Sequence, residues 1–334
     1  MKTHITPIQL YFLTFSYLLS GFYLYHIDSF FAVAAQFSVF FIFAVLATGG
    51  LSRRRSGLSD LFSFYTPGFA GTAFTGIFLV LSAFQMTSTV VFYGEFVERL
   101  CGFLPSWILF AGIVFCAVFA VRRGMMTIGR FAELIPFLLV PVAFVRPFGD
   151  FSPALTASDF DVSGVLSCVS SVPVFFLAAK TVTPGDEGVS EAMRAGGKLP
   201  EHRAAYLLRI MIAGAVSAVF VYLYLRSFIF PAGDVFLSLF LWMLHIIRLS
   251  VLVGVYADLV VENENPKVRT GFTMVFAAAV ISMFTVVAGA GVHRNWLDIV
   301  IVAVDCLIPV ILNGVLFLRR AYSMQRRQIG EKKI

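Results

Sequence analysis

Long apolar stretches recur along the whole chain and constrain its fold more than any other feature. A helix needs roughly 20 residues to cross the hydrocarbon core of a bilayer, and about ten stretches of this length can be placed in the sequence. Only 13% of the residues are charged, against roughly 25% in soluble domains. The pattern therefore predicts an all-α polytopic membrane protein rather than one large soluble core.

The predicted spans are separated by short polar loops and form a single transmembrane domain, residues 1–334. Numbered in chain order, they cover residues 8–27, 30–50, 69–93, 105–121, 125–145, 163–180, 205–229, 235–261, 270–291 and 297–318. Spans 1–5 make up a first half (8–146) and spans 6–10 a second half (163–318), and a basic tail (319–334) follows.

The basic residues are distributed very unevenly between the two sets of loops. Roughly twenty lysines and arginines fall on one side and about four on the other, and loops rich in these residues face the cytoplasm. Both termini are therefore predicted to be cytoplasmic, with an even number of spans. Because the basic residues lie in short loops and not on one soluble face, the net charge of +6 does not indicate nucleic-acid binding.

Span 6 contains the clearest candidate for a broken membrane helix. Its middle is crowded with hydroxyl groups and followed by a proline: Ser167, Ser170, Ser171 and Pro173. Proline lacks an N–H and clashes with the preceding turn, and backbone groups freed in this way are tolerated in a membrane only beside protein or a water-filled cavity. The alternative is an ordinary proline kink that neighbouring helices pack against.

A weaker break is predicted in span 1, at Ser20 and Gly21. Spans 1 and 6 open the two halves, and five plus five spans place those halves in inverted orientation. Paired breaks of this kind are typical of inverted-repeat transporters, whose substrate site lies near the middle of the membrane. The positions therefore predict a site between the two interrupted helices.

Arg248 is the strongest single indication of a polar site within the membrane. An arginine near a helix centre costs roughly 2.5–3.5 kcal/mol to insert, so its side chain is expected to face inward. His245 lies three residues earlier and shares its face. Two roles stay open: a structural ion pair with Asp305 or Glu133, or direct binding of a ligand carboxylate.

Other polar side chains within the spans complete the predicted site. Candidate ligand contacts are Ser16 and Ser20 with Gly21 in span 1, and Gln85 and Thr89 in span 3. Serine and threonine often bond their own helix carbonyls, which is the plainer interpretation of several of these positions. Arg130 and Glu133, one turn apart in span 5, are expected to form an ion pair or a gate, and Asp305 is a further candidate.

Catalytic and cofactor signatures are not discernible in the sequence. The five histidines are dispersed, the four cysteines show no paired spacing, and no glycine-rich phosphate loop occurs. We therefore expect neither an enzyme nor a bound metal or cofactor.

Three segments resemble the B-subunit permease family of spore germinant receptors, a branch of the amino acid–polyamine–organocation superfamily. The most distinctive is VRRGMMTIGRFAELIPFLL from Val121, where the family has a basic pair with glycine and then Gly/Ala-Arg-x-Ala-Glu. The matching residues are Arg122, Arg123, Gly124, Arg130, Ala132 and Glu133. ITPIQLYFLTFSYLLSG from Ile5 and GEFVERLCGFLPSW from Gly94 also resemble the family.

The resemblance implies a ten-helix LeuT-like fold with broken helices 1 and 6, in the inner membrane of a spore. It implies a receptor subunit that binds a small nutrient such as an amino acid and triggers germination with A- and C-type partner subunits. A proton- or sodium-coupled amino-acid transporter is the alternative. A non-binding scaffold is a third hypothesis, because VPVFFLAAK in span 6 replaces the family's aromatic-Pro-aromatic-Gly-Glu pattern.

Overall fold

The computed structural model describes residues 5–24, 106–144, 202–226 and 235–260, together with positions 33–34, 37–38, 40–42, 76, 83 and 86. The four continuous segments are helical. Their elements are α1 (Pro7–Leu24), α2 (Ser106–Arg123), α3 (Met125–Glu133), α4 (Ile135–Phe144), α5 (His202–Arg226) and α6 (Val235–Val260).

The first turn of α1 is fixed by a reciprocal cap. The backbone N–H of Thr6 donates to Gln9 Oε1 at 3.0 Å, and the N–H of Gln9 donates to Thr6 Oγ1 at 3.2 Å. This is a capping box. Pro7 suits the first helical position, because an N–H there would have no acceptor within the helix. The Gln9 side chain also packs on α3, where a Cβ added to Gly129 would lie 3.0 Å from it.

Helices α1 and α6 form the centre of the described bundle. α1 packs against α3, α5 and α6, while α6 also contacts α2, α3 and α4. From Leu244 to Val255 every side chain of α6 is buried, and most of α1 is buried on all sides. A helix that is apolar and buried all round belongs to the interior of a large bundle, so polar groups on these two helices lie within the core.

Close contact between α1 and α5 depends on a small residue. A Cβ at Gly214 would lie 2.7 Å from the backbone oxygen of Tyr11 and 3.2 Å from Cβ of Thr14. Small residues allow two membrane helices to approach closely and gain van der Waals contact. A hydrogen bond from Tyr11 OH to Ser217 Oγ, 2.6 Å long, joins the same two helices.

Large aromatic side chains cover the outer faces of the surrounding helices. Phe115 on α2, Phe137 on α4 and Phe220 on α5 are 72%, 74% and 68% exposed. Three segments, Met125–Ala143, Tyr206–Arg226 and Val235–Val255, are long and apolar enough to cross a membrane. Apolar outer faces and helices of this length are the features of a membrane-embedded helical protein.

A one-residue turn joins α2 to α3. Gly124 has φ of 99° and ψ of 169°, and its N–H donates to the carbonyls of Ala120 and Val121 at 3.1 and 3.0 Å. Its own carbonyl accepts from the N–H of Thr127 at 2.9 Å. Side chains other than glycine rarely adopt this backbone conformation. The turn therefore consists of Gly124 alone, and Arg122 and Arg123 are the last two residues of α2.

The positions of spans 1, 4, 5, 7 and 8 are confirmed as helical, but two details were wrong. α1 continues through Ser20 and Gly21 to Leu24, so the break predicted in span 1 is not present. A mid-helix glycine costs only about 1 kcal/mol relative to alanine and keeps its backbone N–H, so the ladder continues. The LeuT-like arrangement of two five-helix repeats involves spans outside the described residues.

Span 5, predicted as one continuous helix, is interrupted at Leu134. Pro136 cannot donate to the carbonyl of Ala132, four residues earlier. The N–H of Phe137 donates to the Leu134 carbonyl, only three residues earlier, at 3.1 Å. The helix therefore divides into α3 and α4, with Glu133 as the last residue of α3.

Candidate functional site

The candidate site lies where α1 and α6 meet, because both helices carry buried polar side chains. These residues, each at most 5% exposed, are Gln9, Thr14, Ser16 and Ser20 on α1 and Ser238, His245, Arg248 and Ser250 on α6. Three of them donate to a carbonyl of their own helix: Thr14 Oγ1 to Leu10 at 2.9 Å, Ser20 Oγ to Tyr17 at 2.7 Å and Ser250 Oγ to Ile246 at 2.5 Å. Such bonds satisfy a hydroxyl group without joining helices.

Arg248 links α6 to α1. Its side chain is 1% exposed, and Nη1 donates to the Tyr17 carbonyl at 3.1 Å and approaches Ser20 Oγ at 3.4 Å. Ser20 Oγ donates in turn to the same Tyr17 carbonyl at 2.7 Å. The Tyr17 carbonyl thus accepts from both side chains, which lie on different helices.

The Tyr17 ring also contacts the guanidinium group, whose Cζ lies 4.4 Å from the ring centre. The negative face of an aromatic ring attracts a cation, and the attraction is strongest where water is excluded. A carbonyl, a hydroxyl and a ring therefore surround part of the buried positive charge. None of these three groups is itself charged.

Ser16 adds a polar group one turn before Ser20. Its side chain is fully buried, and its Oγ has no hydrogen-bond partner in the part of the chain that the structure describes. A buried hydroxyl without a partner costs roughly 1–3 kcal/mol. Ser16 is thus a polar group within the core that a bound molecule could satisfy.

The structure brings together part of the predicted site. Ser16, Ser20 and Gly21 are buried on α1, and His245 and Arg248 are buried on α6, one turn apart. The remaining predicted contacts lie outside the described residues: Gln85, Thr89, Ser167, Ser170, Ser171, Pro173 and Asp305.

The two charged residues of α3 lie apart from the Arg248 contacts. Arg130 is exposed and Glu133 is half-buried. Within the described segments, Arg248 contacts Tyr17 and Ser20, and no ion pair joins Glu133 to Arg248 or to Arg130. The gating role of Arg130 and Glu133 stays a prediction, as does the pairing of Arg248 with Asp305.

Tyr17 is the contact that sequence reasoning missed. The prediction considered the hydroxyl groups of span 1 and assigned no role to Tyr17. Its position three residues before Ser20 places it close to the Ser20 side chain on the helix. The available signal was an aromatic ring next to the predicted polar face, but the sequence does not specify that this face meets Arg248.

The arrangement defines a class of protein, a membrane-embedded helical bundle with a buried arginine between its two central described helices. In comparisons with models of protein families and with curated proteins, no family model and no curated protein matched the chain.

Proposed function

We propose that this chain is a membrane subunit of a spore nutrient germinant receptor and that it binds a small, carboxylate-bearing nutrient between α1 and α6. The observation that carries the proposal is the buried contact of Arg248 with Tyr17 and Ser20. Arginine presents a planar fork of donors that matches a carboxylate. The Val121–Leu139 resemblance supplies the receptor family, its spore inner membrane and its A- and C-type partners.

The buried hydroxyl of Ser16 supports a small polar ligand at the same place. It lies one turn from Ser20, which contacts Arg248, and it lacks a hydrogen-bond partner among the described residues. An amino acid offers both a carboxylate for the guanidinium group and an ammonium donor for hydroxyl and carbonyl oxygens. The ligand would signal by binding one conformation of the subunit more tightly than another.

The direct test is the germination response of spores that carry Ser16→Ala at unchanged protein level. Loss of one hydrogen bond of about 1 kcal/mol shifts the effective nutrient concentration upward by about fivefold. Ser250→Ala is the matched control, because that hydroxyl bonds the Ile246 carbonyl of its own helix. An unchanged dose response in Ser16→Ala spores, or an equal shift in both variants, contradicts the site.

A coupled amino-acid transporter is the second candidate, favoured by the interruption between α3 and α4. Glu133 ends α3 beside the turn at Leu134, near the middle of the apolar segment Met125–Ala143. Carboxylates within membrane segments often carry coupling protons or contact coupling ions. Uptake of labelled amino acids into proteoliposomes tests this role, with Glu133→Gln expected to abolish accumulation under an imposed gradient.

A non-binding scaffold is favoured by the continuous course of α1 through Ser20 and Gly21. A helix without a break offers fewer exposed backbone groups to a ligand. A scaffold predicts that no nutrient raises the melting temperature of the purified chain.

A further inference from the structure

The outward face of α2 is an apolar stripe that ends in arginines. Its exposed residues recur three or four positions apart and so form one face of the helix: Ile108, Ala111, Phe115, Phe119 and Arg122. No charged residue occurs from Ser106 to Val121. From Ile108 to Phe119 the stripe rises about 16 Å along the helix axis, and the charges are confined to its end.

Arg123 lies against this stripe. Its Cζ is 5.2 Å from the centre of the Phe119 ring, and Arg122 and Arg123 are both exposed. Long basic side chains at the end of a membrane helix keep their stems on apolar surface and place the charge at the headgroup level. The Phe119 contact fixes the Arg123 guanidinium group directly at the end of the apolar surface.

A glycine turn follows the two arginines directly. The helix ends at Arg123, and the N–H of Gly124 donates to the carbonyls of Ala120 and Val121. No acidic residue occurs between Ser106 and Ala132, so this segment provides no carboxylate to neutralise the pair. Arg122 and Arg123 follow Phe119 by three and four residues, so two exposed basic side chains flank the end of the exposed apolar surface.

We propose that Arg122 and Arg123 bind the phosphate of an anionic phospholipid whose acyl chains lie along Phe115 and Phe119. Guanidinium groups bind phosphate oxygens through paired, charge-assisted hydrogen bonds. The apolar stripe distinguishes a lipid from a soluble phosphate, because it contacts acyl chains that a free anion lacks. This lipid site is independent of what binds between α1 and α6.

The test measures lipid binding to the full-length protein in a neutral detergent by native mass spectrometry. The wild-type chain is expected to retain phosphatidylglycerol more tightly than phosphatidylcholine of the same acyl length. Each arginine near an anionic surface contributes about a fivefold change in affinity, so Arg122→Gln with Arg123→Gln weakens phosphatidylglycerol binding by about 25-fold. Phe119→Leu, which removes the stacked ring, weakens it to a smaller extent.

A control of equal charge is Arg130→Gln with Arg209→Gln, since both residues are exposed but lie on α3 and α5. This variant is expected to keep the lipid preference. Equal affinity of the wild-type chain for both lipids overturns the proposal, as does an equal loss in the two double variants. Displacement of phosphatidylglycerol by millimolar glycerol 3-phosphate would assign the arginines to a soluble anion and would also overturn it.

Discussion

The Arg248 guanidinium group on α6 lies over the ring of Tyr17 on α1, with 4.4 Å between Cζ and the ring centre, and donates to the backbone carbonyl of the same residue at 3.1 Å. One residue of α1 thus provides both a π surface and a carbonyl acceptor. This double contact joins the two central helices of the described bundle at a charged group within the membrane segment.

The ring of Tyr17 is expected to stabilise the fold through this contact. A desolvated cation–π interaction contributes about 2 kcal/mol, so Tyr17→Leu should lower the free energy of unfolding by about 2 kcal/mol more than Tyr17→Phe, which keeps a ring. Thermal unfolding of both variants in detergent measures the difference. Equal melting temperatures would show that the ring contributes nothing beyond its bulk.

Gly214 is expected to be intolerant of any side chain. Gly214→Ala places a Cβ 2.7 Å from the Tyr11 backbone oxygen, which cannot move without shifting α1, and overpacking of this kind costs about 1–3 kcal/mol. The matched control is Gly112→Ala, whose Cβ meets the Trp242 side chain at an ordinary 3.4 Å. Melting temperatures are compared, and a control that destabilises as much as Gly214→Ala would contradict the close α1–α5 contact.

Gly124 is expected to be required by its backbone conformation. With φ of 99° and ψ of 169°, it occupies a region that is essentially restricted to glycine, so Gly124→Ala costs about 1–3 kcal/mol. Gly124→Asn should not rescue stability, because asparagine tolerates the left-handed helical region but not this one. Because no neighbouring atom lies within 4 Å of an added Cβ, steric contact is not the cause. Stability equal to wild type in either variant would contradict this conformation.

The capping box at the start of α1 is expected to be worth about 1 kcal/mol. Thr6→Ala removes the oxygen that accepts from the Gln9 N–H, whereas Thr6→Ser keeps it. Amide hydrogen exchange at Gln9 measures the effect locally, with about fivefold faster exchange in Thr6→Ala and little change in Thr6→Ser. Exchange rates that do not distinguish the two variants would contradict the cap.

The sequence was sufficient to locate five of the spans, because helix length and apolar composition are local properties. The inward orientation of Arg248 was also predictable, since a cation within a membrane segment must leave the lipid face. The contact with Tyr17 was not, because the meeting of α1 and α6 joins residues 231 positions apart. Nothing in the local pattern of span 1 specifies which of its faces meets α6.

The structure differs from the predicted spans in two places, the absent break in span 1 and the interruption in span 5. Both concern helix continuity, which local residue types determine only weakly. Serine followed by glycine at Ser20 and Gly21 suggested a break, but both residues keep a backbone N–H and the helix continues. Pro136 was the stronger signal, because it removes a donor, and the interruption is found two residues before it, at Leu134. Pro141 nevertheless lies inside α4 without ending it, so a missing donor favours an interruption but does not determine it.

The account depends most on whether a small carboxylate binds beside Arg248. Thermal unfolding of the purified full-length chain with a panel of amino acids tests this directly, because a ligand at 100 times its dissociation constant stabilises the protein by about 2.7 kcal/mol. The account predicts that at least one amino acid stabilises the wild-type chain, that its decarboxylated amine does not, and that Arg248→Lys loses the effect. Stabilisation by no member of the panel, or equal stabilisation by the amino acid and its amine, would contradict it.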